Sequence, residues 1–182
     1  KCKYISIPCE ELKNQNNVFD VDVTKLIINV NNSGITGKQL GDILRYKYNI
    51  EVEMDSLKYV LGITTICDDY KELERLAEAL KEIDKSLEEK QNENISVELL
   101  KNKRMYSIYE TDLKEKNTVN LFDSKDCISG EFVFLYPPGI PLVVPGEVIT
   151  EELLEQIKVY LEANMNISGL KDNSNKTIEV VK

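Results

Sequence analysis

Tyr136-Pro137-Pro138-Gly139-Ile140-Pro141-Leu142-Val143-Val144-Pro145-Gly146-Glu147 holds four of the five prolines in the chain. Each proline fixes its own φ and drives the residue before it out of the helical region, while Gly139 and Gly146 permit turns. The stretch is therefore predicted as a stiff, extended path with corners, joining strands and holding nearby side chains in place. Around it, residues 131–135 and 142–144 read as strands. Residues 150–163 read as a helix capped by Thr150, with Glu151 and Glu152 in its positive first turn, and 177–181 as a last strand. These elements describe an α+β unit.

Upstream, the all-polar run at residues 88–94 breaks the periodicity and marks a boundary, with the second unit beginning near Ile95. Before it, residues 1–17 end in Lys13-Asn14-Gln15-Asn16-Asn17 and read as a loop. The β-branched run 24–30 reads as a strand, and Asn31-Asn32-Ser33-Gly34 as a turn. Residues 37–48 place Leu40, Ile43, Leu44 and Lys47 at helical spacing, with Asn49 as a left-handed exit. Strands are predicted at 50–54 and 59–66, with a turn at Asp55-Ser56. Asp68 or Asp69 then caps a helix whose Leu73, Leu76, Ala77, Leu80, Ile83 and Leu87 form one apolar stripe. The order strand, helix, strand, strand, helix describes a compact α/β unit.

The 182 residues carry 42% hydrophobic and 30% charged side chains, enough for one ordinary core or two small ones. No apolar run approaches the roughly 20 residues that cross a bilayer, and residues 1–11 lack the apolar centre of a signal peptide. A net charge of −9 disfavours nucleic acid, whose affinity for proteins comes from clustered Lys and Arg. With no histidine, the chain lacks the commonest acid/base near neutral pH and every Ser-His-Asp or Cys-His arrangement. Cys2, Cys9, Cys67 and Cys127 form no CxxC pair and are read as reduced thiols with no metal to hold. Cys67, after the apolar run 62–66, is read as a small core residue.

The string EFVFLYPPGIPLVVPGEVIT (131–150) is similar to the signature of the C-terminal domain of the ornithine/lysine/arginine decarboxylase family. Asp22-Val23-Thr24-Lys25-Leu26, Gly34-Ile35-Thr36-Gly37, Leu44-Arg45, 48–53, Glu74-Arg75-Leu76 and Ala79-Leu80 follow the same family in the same order. The resemblance runs from about Val18 onward. It implies a small aminotransferase-like α/β subdomain at 18–90 and an α+β C-terminal domain at 95–182. It also implies a fold-type-I decarboxylase of lysine, ornithine or arginine that uses pyridoxal phosphate, works in the cytoplasm and assembles as a homodimer or larger homo-oligomer. The family's Ser-x-His-Lys motif, which carries the cofactor lysine, is not in this sequence. The chain is accordingly expected to be a truncated portion, inactive by itself, with no catalytic or cofactor-binding residue of its own.

Within that resemblance the chain's contribution is substrate capture, orientation and assembly. Glu147, after the rigid Pro145-Gly146 corner, is the first candidate to meet the substrate's distal amino or guanidino group, against local capping or pairing. Tyr136 is a candidate to line the same cleft, against a buried core tyrosine. Glu53 shares a strand face with Glu51 and matches a glutamate of the family pattern, against a solvated face. Tyr109-Glu110-Thr111 departs from the family's Arg-Glu-Ala-like segment. A non-catalytic binding or regulatory module derived from such an enzyme is the alternative. The proline segment argues against the small domain of an aminotransferase.

Overall fold

The computed structural model describes residues 2–30, 33–88 and 100–182. It divides into two compact units, Lys1–Ile95 and Ser96–Lys182. From residue 89 on, the polar break read at 88–94 lies outside the described residues, as do Asn31 and Asn32 of the turn and the expected start near Ile95.

The first unit contains β1 (Lys25–Asn29), α1 (Gly37–Tyr48), β2 (Met54–Asp55), β3 (Tyr59–Ile63) and α2 (Tyr70–Ser86). The strands form one antiparallel sheet in the order β1-β3-β2. Thr36 starts α1 by accepting a hydrogen bond from the Gln39 amide, and Gln39 reaches back to the Thr36 amide. The helix ends on Asn49 at φ 52°, as its sequence position predicts. Gly37 is required by packing, since a Cβ there would lie 2.2 Å from the Tyr59 carbonyl oxygen on β3. Ile28, Val30, Val60, Leu40, Leu44, Leu80 and Ile83 close the core between the sheet and both helices.

Five expectations for this unit need correction. The strand predicted at 50–54 pairs only from Met54, because Ile50 is spent closing α1, its amide donating to the Leu44 carbonyl at 2.9 Å. Its alternation survives nonetheless: Ile50 and Val52 pack on the core while Glu51 and Glu53 are exposed. The strand expected to reach residue 66 stops at Ile63, because Asp68 draws the chain into a turn by accepting hydrogen bonds from the Thr65 amide and hydroxyl. Ile66 and Cys67 are thereby turned to solvent, so Cys67 is not a core residue. In α2, Ala77 is exposed while Ala79 and Asp84 are buried. Asp84 accepts the amides of Lys3, Tyr4 and Ile5 at 2.7, 2.7 and 2.8 Å. The start of the chain, read as loop, is thus an extended strap whose Ser6 pairs with Asn29 of β1 and whose Ile5 enters the core.

The second unit contains α3 (Ile108–Asp112), β4 (Lys116–Asn120), β5 (Val133–Leu135), β6 (Ile140–Val143), α4 (Glu151–Glu162), β7 (Ile167–Ser168) and β8 (Thr177–Val181). β4 and β8 form a two-stranded antiparallel sheet, and β6-β5-β7 a three-stranded one. The proline segment is itself the β5–β6 hairpin, with its turn at Pro137-Pro138-Gly139 and Leu135 opposite Ile140. Thr150 caps α4 by accepting from the Leu153 amide at 3.2 Å. Leu153, Ile157 and Tyr160 of α4 are buried, as are Val133, Val143, Ile149 and Ile178, and burial pushes the Tyr160 phenol upward. Every paired strand is antiparallel, so both units are α+β in the sense of helices laid on antiparallel sheets.

Candidate functional site

Glu147 stands just beyond the open end of the β5–β6 hairpin. The corner before it is locked: Gly146 has φ +93°, and a Cβ there would lie 2.2 Å from the Tyr106 carbonyl oxygen and 2.7 Å from Thr111 Oγ1. The Met105 amide donates to the Gly146 carbonyl at 2.8 Å, and the Gly146 amide to the Ser129 carbonyl at 2.8 Å. This docking explains Tyr109-Glu110-Thr111. Glu110 closes a capping box with Ser107 at the start of α3, and the buried Thr111 packs beneath Gly146, its hydroxyl donating to the Ser107 carbonyl.

The Glu147 side chain is 16% exposed and its two oxygens differ. Oε2 accepts from the Val144 amide at 3.2 Å and from Asn102 Nδ2 at 3.3 Å. The same Asn102 nitrogen donates to the Leu142 carbonyl at 2.7 Å, which orients the amide and leaves its buried Oδ1 without a hydrogen-bond partner. Oε1 faces Arg104, whose guanidinium lies 3.8 Å away on a 62% exposed side chain. One oxygen is thus tied into the turn, and the other meets a loosely held cation.

The other two candidates are elsewhere. Tyr136 is 56% exposed at the closed end of the hairpin, the opposite end from Glu147, so it is neither a core tyrosine nor a neighbour of that carboxylate. Glu53 belongs to the first unit, with its amide donating to the Leu61 carbonyl at 2.8 Å and its side chain exposed. Within the second unit, Tyr136 and Glu147 therefore do not share a site.

What sequence reasoning missed is a cleft of about 660 Å³ in the second unit, lined by Tyr109, Lys116, Glu131, Phe132, Lys171 and Glu179 among others. Glu131 is 7% exposed and fastens two segments, accepting the Lys171 amide at 2.9 Å and the Glu179 amide at 2.7 Å. Lys171 Nζ lies 2.6 Å from Glu179, a hydrogen bond that pushes the lysine upward. Lys116 Nζ lies 3.6 Å from Asp112. The sequence carried little signal here, because α3 has five residues, β7 has two, and β4 holds one large apolar residue, Val119. Among the described residues, no group of His, Cys, Asp and Glu could hold a metal ion, and no helix is long and apolar enough to cross a membrane.

Residues 88–173 match the family described as Orn/Lys/Arg decarboxylase, C-terminal domain. The whole chain is similar to arginine decarboxylases. It is 31% identical to that of Bacillus anthracis over 99% of this chain and 37% of the relative. It is 37% identical to that of Bacillus subtilis (strain 168) over 90% of this chain and 34% of the relative. The chain therefore spans about a third of the length of the curated relatives it matches. Its fold is similar to that of about a third of the chain of two lysine decarboxylases. The Francisella novicida enzyme matches 100% of this chain and 37% of its own at TM-score 0.72 and 17% identity. The constitutive Escherichia coli enzyme matches 93% and 33% at TM-score 0.69 and 16% identity.

Enzymes of this family use pyridoxal phosphate, and the charged cleft does not fit it. The cofactor needs a lysine amine able to lose its charge, together with donors for a dianionic phosphate. Here both lysines face carboxylates, Lys171 is held in its charged form by Glu179, and Asp112, Glu131 and Glu179 outnumber the two ammonium groups.

Proposed function

We propose that this chain is the C-terminal portion of a pyridoxal-phosphate-dependent decarboxylase that releases CO2 from arginine, lysine or ornithine to give a di- or polyamine precursor. In this reading, residues 18–90 are the small subdomain of the enzyme and 95–182 its C-terminal domain. The whole works in the cytoplasm as a homodimer or larger homo-oligomer, and the cofactor's chemistry belongs to the part of the relatives that this chain does not match. The observation that carries the reading is the match of residues 88–173 to the decarboxylase C-terminal domain, extended by similarity to arginine decarboxylases over the rest.

Glu147 supplies charge and position. Its Oε2 is fixed by Val144 and Asn102, which aims Oε1 at whatever cation is present, and Arg104 holds that place loosely enough for a substrate's distal ammonium or guanidinium to displace it. Tyr136 and Glu53, both solvent-facing, are the secondary substrate contacts.

The test is a chimera in which residues 18–182 replace the matching third of the B. subtilis arginine decarboxylase. It should bind pyridoxal phosphate and release CO2 from at least one of the three amino acids, whereas residues 1–182 alone should give neither an aldimine absorbance band nor CO2. Glu147→Gln in the chimera should lower kcat/KM on the order of ten- to a hundredfold, the value of one charge-assisted contact. A chimera that assembles and holds cofactor, yet decarboxylates none of the three, would favour a non-catalytic module.

A further inference from the structure

The cleft of the second unit presents both signs of charge beside an aromatic wall. Its lining includes Tyr109, 74% exposed, and Phe132, 41% exposed, together with the apolar Ile108 and Pro145. The same lining holds two ion pairs of unequal quality. Lys171 and Glu179 are in hydrogen-bond contact at 2.6 Å, whereas Lys116 and Asp112 are 3.6 Å apart. Charge-assisted N–H···O contacts close at about 2.7–2.9 Å, so the second pair leaves donor capacity on Lys116 and acceptor capacity on Asp112 unused. The two ends also differ in freedom. The Lys116 side chain is 20% exposed, with its stem against Gly130, while Asp112 is 81% exposed and able to swing. The cleft floor is rigid, because Glu131 ties the Lys171 and Glu179 backbones together with both carboxylate oxygens. At about 660 Å³ the space is in the range of small-ligand sites.

A fixed ammonium, a movable carboxylate and an apolar wall are complementary to a zwitterion that carries a side chain. We propose that this cleft binds a free α-amino acid. The ligand carboxylate lies on Lys116, its ammonium on Asp112 and Glu179, and a long aliphatic or aromatic side chain lies along Tyr109 and Phe132. Removing either charge of the ligand leaves one half of the opened Lys116–Asp112 pair unmatched. A decarboxylated amine and an N-acetylated amino acid are therefore both poor ligands. Glu147 is not among the residues that line this cleft, and the proposal does not depend on the decarboxylase reading.

The experiment is an amide NMR titration of the ¹⁵N-labelled chain, residues 1–182, with L-lysine and L-phenylalanine, and with cadaverine and N-acetyl-L-phenylalanine as the two halves. Saturable shifts are expected at Gly130, Phe132, Gly169 and Lys171 with the two amino acids, and at least tenfold weaker binding of the two halves. Lys116→Met should weaken amino acid binding about tenfold or more with the rest of the spectrum unchanged, and Tyr109→Ala should do so without altering any charge. The proposal is overturned if neither amino acid gives saturable shifts at these amides, or if the amine or the acetylated compound binds as tightly. It is equally overturned if Lys116→Met and Tyr109→Ala, both folded, bind like the parent.

Discussion

Asp84 and Glu147 are both carboxylates that hold a turn of chain in place, one in each unit, and they do it with very different commitment. Asp84 is 8% exposed and accepts three consecutive backbone amides at 2.7–2.8 Å. Glu147 accepts two hydrogen bonds at 3.2 and 3.3 Å through one oxygen and turns the other to a guanidinium 3.8 Å away. A carboxylate with both oxygens engaged by backbone amides has little left for a ligand. One held by a single oxygen is positioned and still has capacity. Their environments, more than their types, separate a structural acid from a candidate for recognition.

The sharpest way to break this contrast is to remove Asp84. Asp84→Ala leaves the amides of Lys3, Tyr4 and Ile5 without their acceptor and is expected to destabilise the first unit by about 3–4 kcal/mol, chiefly by freeing the strap. Hydrogen exchange at those amides should lose protection while exchange in α4 is unaffected. Protection that stays intact would show that Ile5 packing and the Ser6–Asn29 pairing suffice.

The next effect belongs to the other anchor. Gly146→Ala places a methyl 2.2 Å from a backbone oxygen at φ +93°, and its side-chain neighbour Thr111 Oγ1 is held by a hydrogen bond to the Ser107 carbonyl. A loss of about 3 kcal/mol is expected, read as a lower urea midpoint for the second unit. If Gly146→Ala is neutral, the Pro-Gly-Glu corner is not rigid, and the positioning argued for Glu147 fails with it.

How these anchors escaped or yielded to the sequence is a matter of range. Asn49, Asp69 and Thr150 were legible because caps act within about one turn, and each sits beside its own helix. The stripe of α2 was legible in outline, but a buried Asp among leucines reads as a defect until its partners, about 80 residues away, are known. Gly146 and Pro145 announced a corner, and the segment that receives it, Tyr106 to Thr111, had no period long enough to register. The cleft was illegible for the same reason, since its lining comes from six short stretches between residues 108 and 179. Glu147 was singled out by its corner and by family likeness, while its tether to Asn102 spans 45 positions and left no local trace.

Acid gives a smaller contrast with a definite sign. Burial would raise the Asp84 carboxyl, but the amides of Lys3, Ile5 and Tyr4 outweigh it and hold the group below the ordinary carboxylate value. A depressed acid contributes its full stabilisation above its unfolded value and loses it as pH falls through the folded one. The amide shifts of Tyr4 and Ile5 should therefore stay constant from pH 7 to about 5 and move only below the usual Asp range near 4. Movement between pH 5 and 6 would contradict the clamp.

The smallest effect expected is the stability change in Glu147→Gln, and its smallness is informative. A glutamine carbonyl oxygen can accept from both the Val144 amide and Asn102 Nδ2, so the tied half of the side chain survives. What is lost is the charge facing Arg104, a pair at 3.8 Å on a mostly exposed arginine, and exposed pairs contribute about 0–1 kcal/mol. Thermal unfolding should shift by no more than about 0.5 kcal/mol. Glu147→Ala, which orphans the Val144 amide and Asn102, should cost about 1–2 kcal/mol. The ratio between the two variants separates the roles: a large loss already in the glutamine variant would place the importance of Glu147 in its charge pairing with Arg104. That would make it a structural acid like Asp84 and remove the spare oxygen on which substrate recognition depends.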